Sequence, residues 1–335
     1  MASLPLYPTN PVPKLVGIAK LASEAEHVDD GHKVEFFSLP VRSILNRCTS
    51  RRNLPFTWTI NPYRGCEFAC KYCYARYTHE FMELRDPDEF EHKIFVKEEC
   101  AWMLRRDLKK VKSGEEIAIG TATDPYQPAE RRHRITRSIL EELSQHAGLE
   151  IGIVTKSNLV LRDVDVLQEI AKHNAIGVHI TVTTVNTDLA RITEPRAPRP
   201  DLRLAAVRKL NHAGIPTGVS CAPVLPGITD KPSELEAVVK AAAEANATHI
   251  FANPLFLKPC SRAIFLPFVK QNFPNLAQQY EALYGENDFG SQAYRKRLGA
   301  LMSKFKAKYG IGTPGPRGPI RDLVRTQQSE QLGLF

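Results

Sequence analysis

Six short runs of β-branched or alternating apolar residues punctuate the chain: FTWTIN (56–61), EIAIG (116–120), EIGIVT (150–155), IGVHITVTT (176–184), IPTGVSCA (215–222) and HIFANP (249–254). Runs this short, bounded by turn residues, predict strands. Between them stand segments with helical spacing, among them KEECAWMLRRDLKKVK, ITRSILEELSQHA, DVDVLQEIAKHN, PDLRLAAVRKLNHAG and PSELEAVVKAAAEAN. In the first, Cys100, Leu104, Leu108 and Val111 share one face while Arg105, Arg106, Lys109, Lys110 and Lys112 fall elsewhere, as an amphipathic helix requires. Gly148 and Gly214 stand where helices should stop.

Strands alternating with helices build parallel βαβ units. Right-handed crossovers then curl the sheet into a full or partial α/β barrel, or leave it open and doubly wound. In each case the loops after the strands gather on one rim and hold the chemistry. FLPFVKQNFPNLAQQYEALYG and QAYRKRLGALMSKFKAKYG, after about residue 262, predict helices packed on the open side of the barrel. The last 25 residues, beginning IGTPGPRGPIRDL, read as a flexible tail.

Composition narrows this reading. Hydrophobic residues make up 43% and charged residues 24%, as in a soluble globular chain, and no apolar run nears the ~18 residues of a membrane span. The start, MASLPLYPTNPVPKLVG, lacks the features of a secretory signal, so cytoplasmic residence is expected. A formal charge of +8 points to a polyanionic partner or to nothing more than a solvated cationic face.

Seven cysteines are too few for a disulfide scaffold, and Cys66, Cys70 and Cys73 are clustered in CEFACKYCY, which favours metal binding. Structural zinc is four-coordinate and takes its ligands as two pairs. Here the spacing is Cys-x3-Cys-x2-Cys, and Cys48, Cys100, Cys221 and Cys260 are scattered singly, as small buried hydrophobes would be. Iron–sulfur clusters normally have four thiolates; three leave one iron open.

The stretch resembles the radical S-adenosyl-L-methionine (SAM) superfamily, whose motif is Cys-x3-Cys-x-aromatic-Cys after the first barrel strand, with Tyr72 as the aromatic. The resemblance implies an α/β fold, a partial (β/α)6 TIM-type barrel over 53–262, with an N-terminal extension (1–52), C-terminal helices (263–310) and a tail (311–335). It also implies a [4Fe-4S] cluster on the three cysteines, with SAM chelated to the open iron. Reductive cleavage of SAM would then give a 5′-deoxyadenosyl radical, using an electron from a flavodoxin or ferredoxin.

NPYRGCEFACKYCYAR, GTATDPYQPAE, VTKS, TVTTVNTDLARITEPRAP and CAPVLPGITD, each after a predicted strand, narrow the resemblance to spore photoproduct lyase and its bacterial relatives. For this chain the resemblance implies SAM contacts from Tyr72, Thr123, Lys156, Thr181, Thr183 and the backbone near Ala222, and a radical-relay role for Tyr74. Lys156 could instead be an ordinary rim cation, and Glu194 with Arg196 is either an exposed surface ion pair or a more functional one. Thr121 stands where the lyase has its hydrogen-donor cysteine, which separates this chain from the lyase's own reaction; Cys221 is either a substitute or a core residue.

Basic clusters RRHR (131–134) and RITEPRAPRP (191–200) should project from the same rim, as a phosphate-backbone clamp needs. The terminal QLGLF, Gln331 to Phe335, resembles the bacterial sliding-clamp-binding peptide. The leading expectation is a radical SAM enzyme acting on nucleic acid, DNA in particular, in repair or modification. The alternatives are RNA, a peptide or a small metabolite as substrate, or a non-catalytic iron–sulfur partner of the clamp.

Overall fold

All six expected strands form and pair in parallel in the computed structural model, which describes residues 15–48 and 54–312. In chain order the strands are β1 (Glu26–Gly31), β2 (Val34–Ser38), β3 (Leu45–Arg47), β4 (Trp58–Ile60), β5 (Tyr63–Arg64), β6 (Lys93–Val96), β7 (Glu116–Ile119), β8 (Glu150–Thr155), β9 (Ala175–Thr181), β10 (Thr217–Val224) and β11 (Ile250–Pro254). The parallel strands lie in the order β4-β7-β8-β9-β10-β11. β3 lies antiparallel outside β4 and β11 ends the other edge, so the sheet is an arc. This is a partial barrel of the TIM type.

Alternation along the strands explains the arc. Ile117, Ile119, Ile151, Ile153, Val178, Ile180, Val219 and Cys221 share one core with Leu104, Leu140, Leu167, Leu210 and Val239 of the surrounding helices. Burying each such side chain contributes roughly 1.5–3 kcal/mol relative to exposure. The intervening positions, Gly152, Gly177, Thr181 and Ser220 among them, fall on the inner face. Cys221 is thereby turned to the helices, away from the interior of the arc.

The helices follow the expected segments, with one shortened. The first begins only at Cys100, behind a left-handed Glu99 (φ 56°), and ends in a 3-10 turn at Lys110, so Val111 is extended. Helices Pro259–Asn272 and Ala277–Tyr284 pack Phe265, Phe268, Val269, Tyr280 and Tyr284 against Cys66, Phe68, Cys70 and Tyr72. Helix Gln292–Tyr309 puts Leu298, Met302 and Phe305 into the main core. Among the described residues no helix is long and apolar enough to cross a membrane.

A second sheet, β1-β2-β6-β5, was not evident from the apolar pattern. Residues 26–38 form a hairpin, β2 runs parallel to β6, and β5 lies antiparallel to β6. β5 feeds directly into the cysteine loop, so this sheet fixes where that loop begins. The terminal QLGLF peptide lies outside the described residues.

Gly120 marks the tightest approach after β7. Its φ is +89°, and a Cβ there would stand 2.5 Å from the Val154 carbonyl oxygen and from Pro125 Cδ. Gly120→Ala is therefore expected to lower stability by about 1–3 kcal/mol. A denaturant midpoint equal to that of the parent protein would refute this.

Candidate active site at the strand ends

The cysteine loop starts with a residue that must be glycine. Gly65 has φ +84°, and a Cβ would meet the carbonyl oxygens of Phe90 and Lys93 at 2.8 Å. From there buried polar groups brace the loop on every side. Thr123 Oγ1 and Gln127 Nε2 donate to the Gly65 carbonyl oxygen at 2.6 and 3.3 Å, and Gln127 Oε1 accepts from Glu67 N at 2.9 Å. Glu67 Oε1 accepts from Ala129 N at 2.6 Å. Arg76 Nη2 donates to the Cys70 carbonyl oxygen (3.3 Å) and pairs with Glu91 (2.5 Å), while Ser261 Oγ donates to the Cys73 carbonyl oxygen (2.8 Å). Lys71 N donates to Thr193 O (2.9 Å) and Arg196 N to Phe68 O (3.4 Å), which joins the loop to the segment after β9.

Cys66 and Cys70 are buried and Cys73 is half-buried. Burial pushes the Cys66 thiol far up, and Asp124, Cys70 and Cys73 push it further. Cys70 is pushed up to about 12 by burial, with Lys156 opposing. Thiols that perturb one another share a volume. Among the described residues, however, no three His, Cys, Asp or Glu side chains converge as ligands of a single ion would. Three thiols on one short loop, two of them buried, are a donor set that a polynuclear cluster can take.

Beside the loop lies a buried charged centre. Glu194, 1% exposed, caps the end of helix Thr187–Thr193. Its Oε1 accepts from Tyr72 OH and, at 3.1 Å, from Thr183 Oγ1, and its Oε2 pairs with Arg203 Nη2 at 2.5 Å. Arg203, also 1% exposed, donates to Thr181 O (3.1 Å) and Pro198 O (2.6 Å) as well. Lys156 Nζ stands 5.6 Å from the Tyr72 ring centroid. Burial alone would raise Glu194, yet Arg203 and Lys156 hold it below the usual carboxylate range. Burial alone would lower Lys156, yet Cys70 and Glu194 raise it. Both groups therefore carry their charge at neutral pH. Arg196 Nη1 is buried without a hydrogen-bond partner, a deficit of about 1–3 kcal/mol that a ligand can relieve.

The expected site residues fall in four places. Cys70, Cys73, Tyr72, Lys156, Thr183 and Glu194 are gathered at the centre, with Cys66 beside the other two cysteines, and Thr181 joins them through its carbonyl bond to Arg203. Thr123 serves the loop: its O–H is committed to Gly65 and it accepts from Gln127 at 3.1 Å. Tyr74 lies at the outer edge, 40% exposed, with its hydroxyl donating to the Thr121 carbonyl oxygen. Ala222 is half-buried on β10 next to the core-facing Cys221.

Two expectations need correction. Glu194 is not at the surface and its ionic partner is Arg203, because its backbone closes a helix turn that points the carboxylate inward. The 191–200 cluster is not a uniform patch either: Arg191 is exposed, Arg199 pairs with Asp201 at 2.8 Å, and Arg196 is half-buried. In the 131–134 cluster, Arg132 pairs with Asp29 of β1, while Arg131 and Arg134 are exposed. Arg203 went unnoticed although a signal existed, since it shares the buried stripe of its helix with Ala206, Val207 and Leu210. Lys97 also went unnoticed. It is buried, donates to Asn61 O at 2.6 Å, and is pushed down to about 7 by burial and by Arg64.

The family model of the Radical SAM superfamily matches residues 60–241. An uncharacterized protein of Mycobacterium bovis is 33% identical over 298 residues, 88% of this chain and 87% of the relative. An uncharacterized protein of Methanocaldococcus jannaschii is 28% identical over 251 residues, 75% of this chain and 86% of the relative. Among solved structures, a spore photoproduct lyase mutant aligns with a TM-score of 0.63 at 15% identity, covering 91% of this chain and 86% of that one. A second lyase mutant, with bound AdoMet and dinucleoside spore photoproduct, gives 0.61 at 14% identity over 90% and 85%. At these identities the likeness is one of fold. The sequence matches and the shared partial barrel agree: the chain belongs to the radical SAM superfamily of enzymes and has the fold of spore photoproduct lyase.

Proposed function

We propose that Cys66, Cys70 and Cys73 hold a [4Fe-4S] cluster, that SAM binds beside it against the Lys156–Glu194 centre, and that the enzyme acts on nucleic acid, DNA in particular. One observation carries this reading: three thiols on one short loop lie beside Lys156, 5.6 Å from the Tyr72 ring, and beside the buried Glu194–Arg203 pair that accepts from the Tyr72 hydroxyl. When bound and reduced, cluster and SAM together supply a 5′-deoxyadenosyl radical, the hydrogen-abstracting species of the superfamily.

The chain's own groups then bind, orient and shield. Lys156 favours the thiolate of Cys70 against the cost of burial and suits the SAM carboxylate. Thr123 has spent its proton on Gly65, so it can only accept, which suits the SAM amino group. Thr181 and Thr183 line the sugar or methionyl side, and the small Ala222 lets the backbone approach adenine. Phe265, Phe268 and Tyr280, packed against the cysteine loop, keep water away.

Quenching must differ from that of the lyase. Thr121 offers a hydroxyl where the lyase has a thiol, and an O–H bond is a far poorer hydrogen-atom donor. Cys221 does not replace it, since it packs in the apolar core shared with the helices. The substrate is accordingly a nucleic-acid group other than the spore thymine lesion. A flavodoxin or ferredoxin would supply the electron, and the Gln331 to Phe335 peptide would recruit the enzyme to the sliding clamp.

Reconstituted without oxygen, reduced and given SAM, the protein should form 5′-deoxyadenosine, faster with DNA and not at all as Cys70→Ala. No product from an intact, reducible cluster would sink the catalytic reading in favour of a cluster-bearing clamp partner, and stimulation by RNA or peptide alone would move the substrate class. Lys156→Met should retain the cluster's visible absorbance and raise the Kd for SAM about 10- to 100-fold by equilibrium dialysis; unchanged affinity would remove Lys156 from the site. Arg203→Met leaves Glu194 charged and alone, and should cost about 3–5 kcal/mol in denaturant unfolding. A double variant with Glu194→Gln should recover part of that loss.

A further inference from the structure

Beside the cysteine loop lie two cations, Arg64 and Lys97, that make no ion pair among the described residues. Arg64 ends β5, immediately before Gly65. Its Nη1 donates to Thr78 O at 3.3 Å, and its Nε is buried without a hydrogen-bond partner. Lys97, 5% exposed, follows β6 and donates to Asn61 O at 2.6 Å. The two sense each other: burial and then Arg64 push the Lys97 ammonium down to about 7, and burial pushes Arg64 below its ordinary value.

The fold treats its other deeply buried guanidinium groups differently. Arg76 is paired with Glu91 and Arg203 with Glu194, each at 2.5 Å. The titratable groups that Arg64 and Lys97 otherwise feel supply no negative charge. Burial raises the Tyr77 phenol, pushes the Cys100 thiol up to about 12 and pushes His79 down to about 4, so all three are neutral. Buried charges are ordinarily paired, because removing them from water is costly. A guanidinium fork near an ammonium, with no carboxylate to satisfy either, is a donor set suited to phosphate.

The position of the pair ties it to the site. Asn61, which accepts from Lys97, also holds the turn after β7: its Nδ2 donates to Thr121 Oγ1 at 3.4 Å and its Oδ1 accepts from Ala122 N at 2.8 Å. Tyr74 OH donates to the Thr121 carbonyl oxygen. The pair therefore stands at the Tyr74 edge, whereas the charge of Lys156 is matched to Cys70 and Glu194. Arg64 is half-buried, so part of its side chain is open to solvent.

We infer that Arg64 and Lys97 form one anion subsite, which holds a backbone phosphate of the nucleic-acid substrate at the Tyr74 edge of the site. The inference deepens the nucleic-acid reading above and rests on it. An anion there restores the Lys97 charge that burial and Arg64 oppose. It also gives Arg64 the partner that Arg76 and Arg203 have within the chain.

Fluorescence anisotropy of a labelled oligothymidylate on the cluster-containing protein tests this. Arg64→Met should raise the Kd about 10- to 100-fold and flatten the plot of log Kd against log salt by about 0.7. Lys97→Met should shift both in the same direction. Because the two cations serve one phosphate, the double variant should flatten the plot no further than Arg64→Met does. Arg64→Lys keeps the charge and should keep the parent slope. Thermal midpoints by circular dichroism and the cluster's visible absorbance confirm that each variant is folded and loaded, and Lys97→Met decides the matter if Arg64→Met does not fold. Parent-like affinity and slope in both Met variants, or a flattened slope that Arg64→Lys does not restore, overturns the subsite and leaves the nucleic-acid reading standing. A parent protein that binds neither single strand nor duplex overturns that reading, and the subsite with it.

Discussion

The Glu194 carboxylate is the point on which the site depends. It takes a hydrogen bond from Tyr72 in the cysteine loop, another from Thr183 beyond β9, and the charge of Arg203 from the following helix. Three stretches distant in sequence are thereby set against one another by a group that has almost no access to water. A buried ion pair contributes little to net stability, because desolvation offsets most of its Coulomb energy. What it contributes is geometry: with its partners removed, the charge has no acceptable place, so alternative arrangements of the loop are excluded. Gly65 does the same for the loop's entry, where no side chain fits between the Phe90 and Lys93 carbonyls.

The electrostatics of the cysteines follow from that burial. Apolar packing by Phe68, Phe265 and Phe268 favours the neutral thiol, so Cys66 and Cys70 resist ionising on their own. A cationic cluster core would reverse the balance, and binding it would release protons. Burial disfavours the charge on Lys156, while Cys70, once ionised, and Glu194 favour it, so the lysine would lower the cost of that step. In a low-dielectric pocket each of these charges acts more strongly than it would in water.

Much of this was legible in the sequence, and the exceptions have physical causes. β8 and β9 are rich in Ile and Val and alternate cleanly, so period and propensity agreed. β5 and β6 are two and four residues long, and β6 pairs with the remote β2 and β5; short strands made by non-local pairing leave no periodic trace. The cysteine spacing was readable because cluster chemistry imposes it on one short segment. Arg203 was not, because an arginine on a helix ordinarily reaches solvent, and only its place among Ala206, Val207 and Leu210 betrays its burial. The donor role of Thr123 was not legible, because it depends on the carbonyl that the positive-φ turn at Gly65 exposes.

The departure at Thr121 gains meaning from its neighbours. Tyr74 OH donates to the Thr121 carbonyl oxygen, and Asn61 Nδ2 donates to Thr121 Oγ1 at 3.4 Å. The phenol is thus tied to the residue at which the lyase keeps its thiol, but through the backbone, and the threonine side chain is engaged by an amide. No sulfur stands on the inner face there, and Cys221 is turned to the helices. Tyr74 lies between the cysteine loop and solvent, two-fifths exposed. The candidate site is thus buried around Glu194 and opens toward solvent at Tyr74.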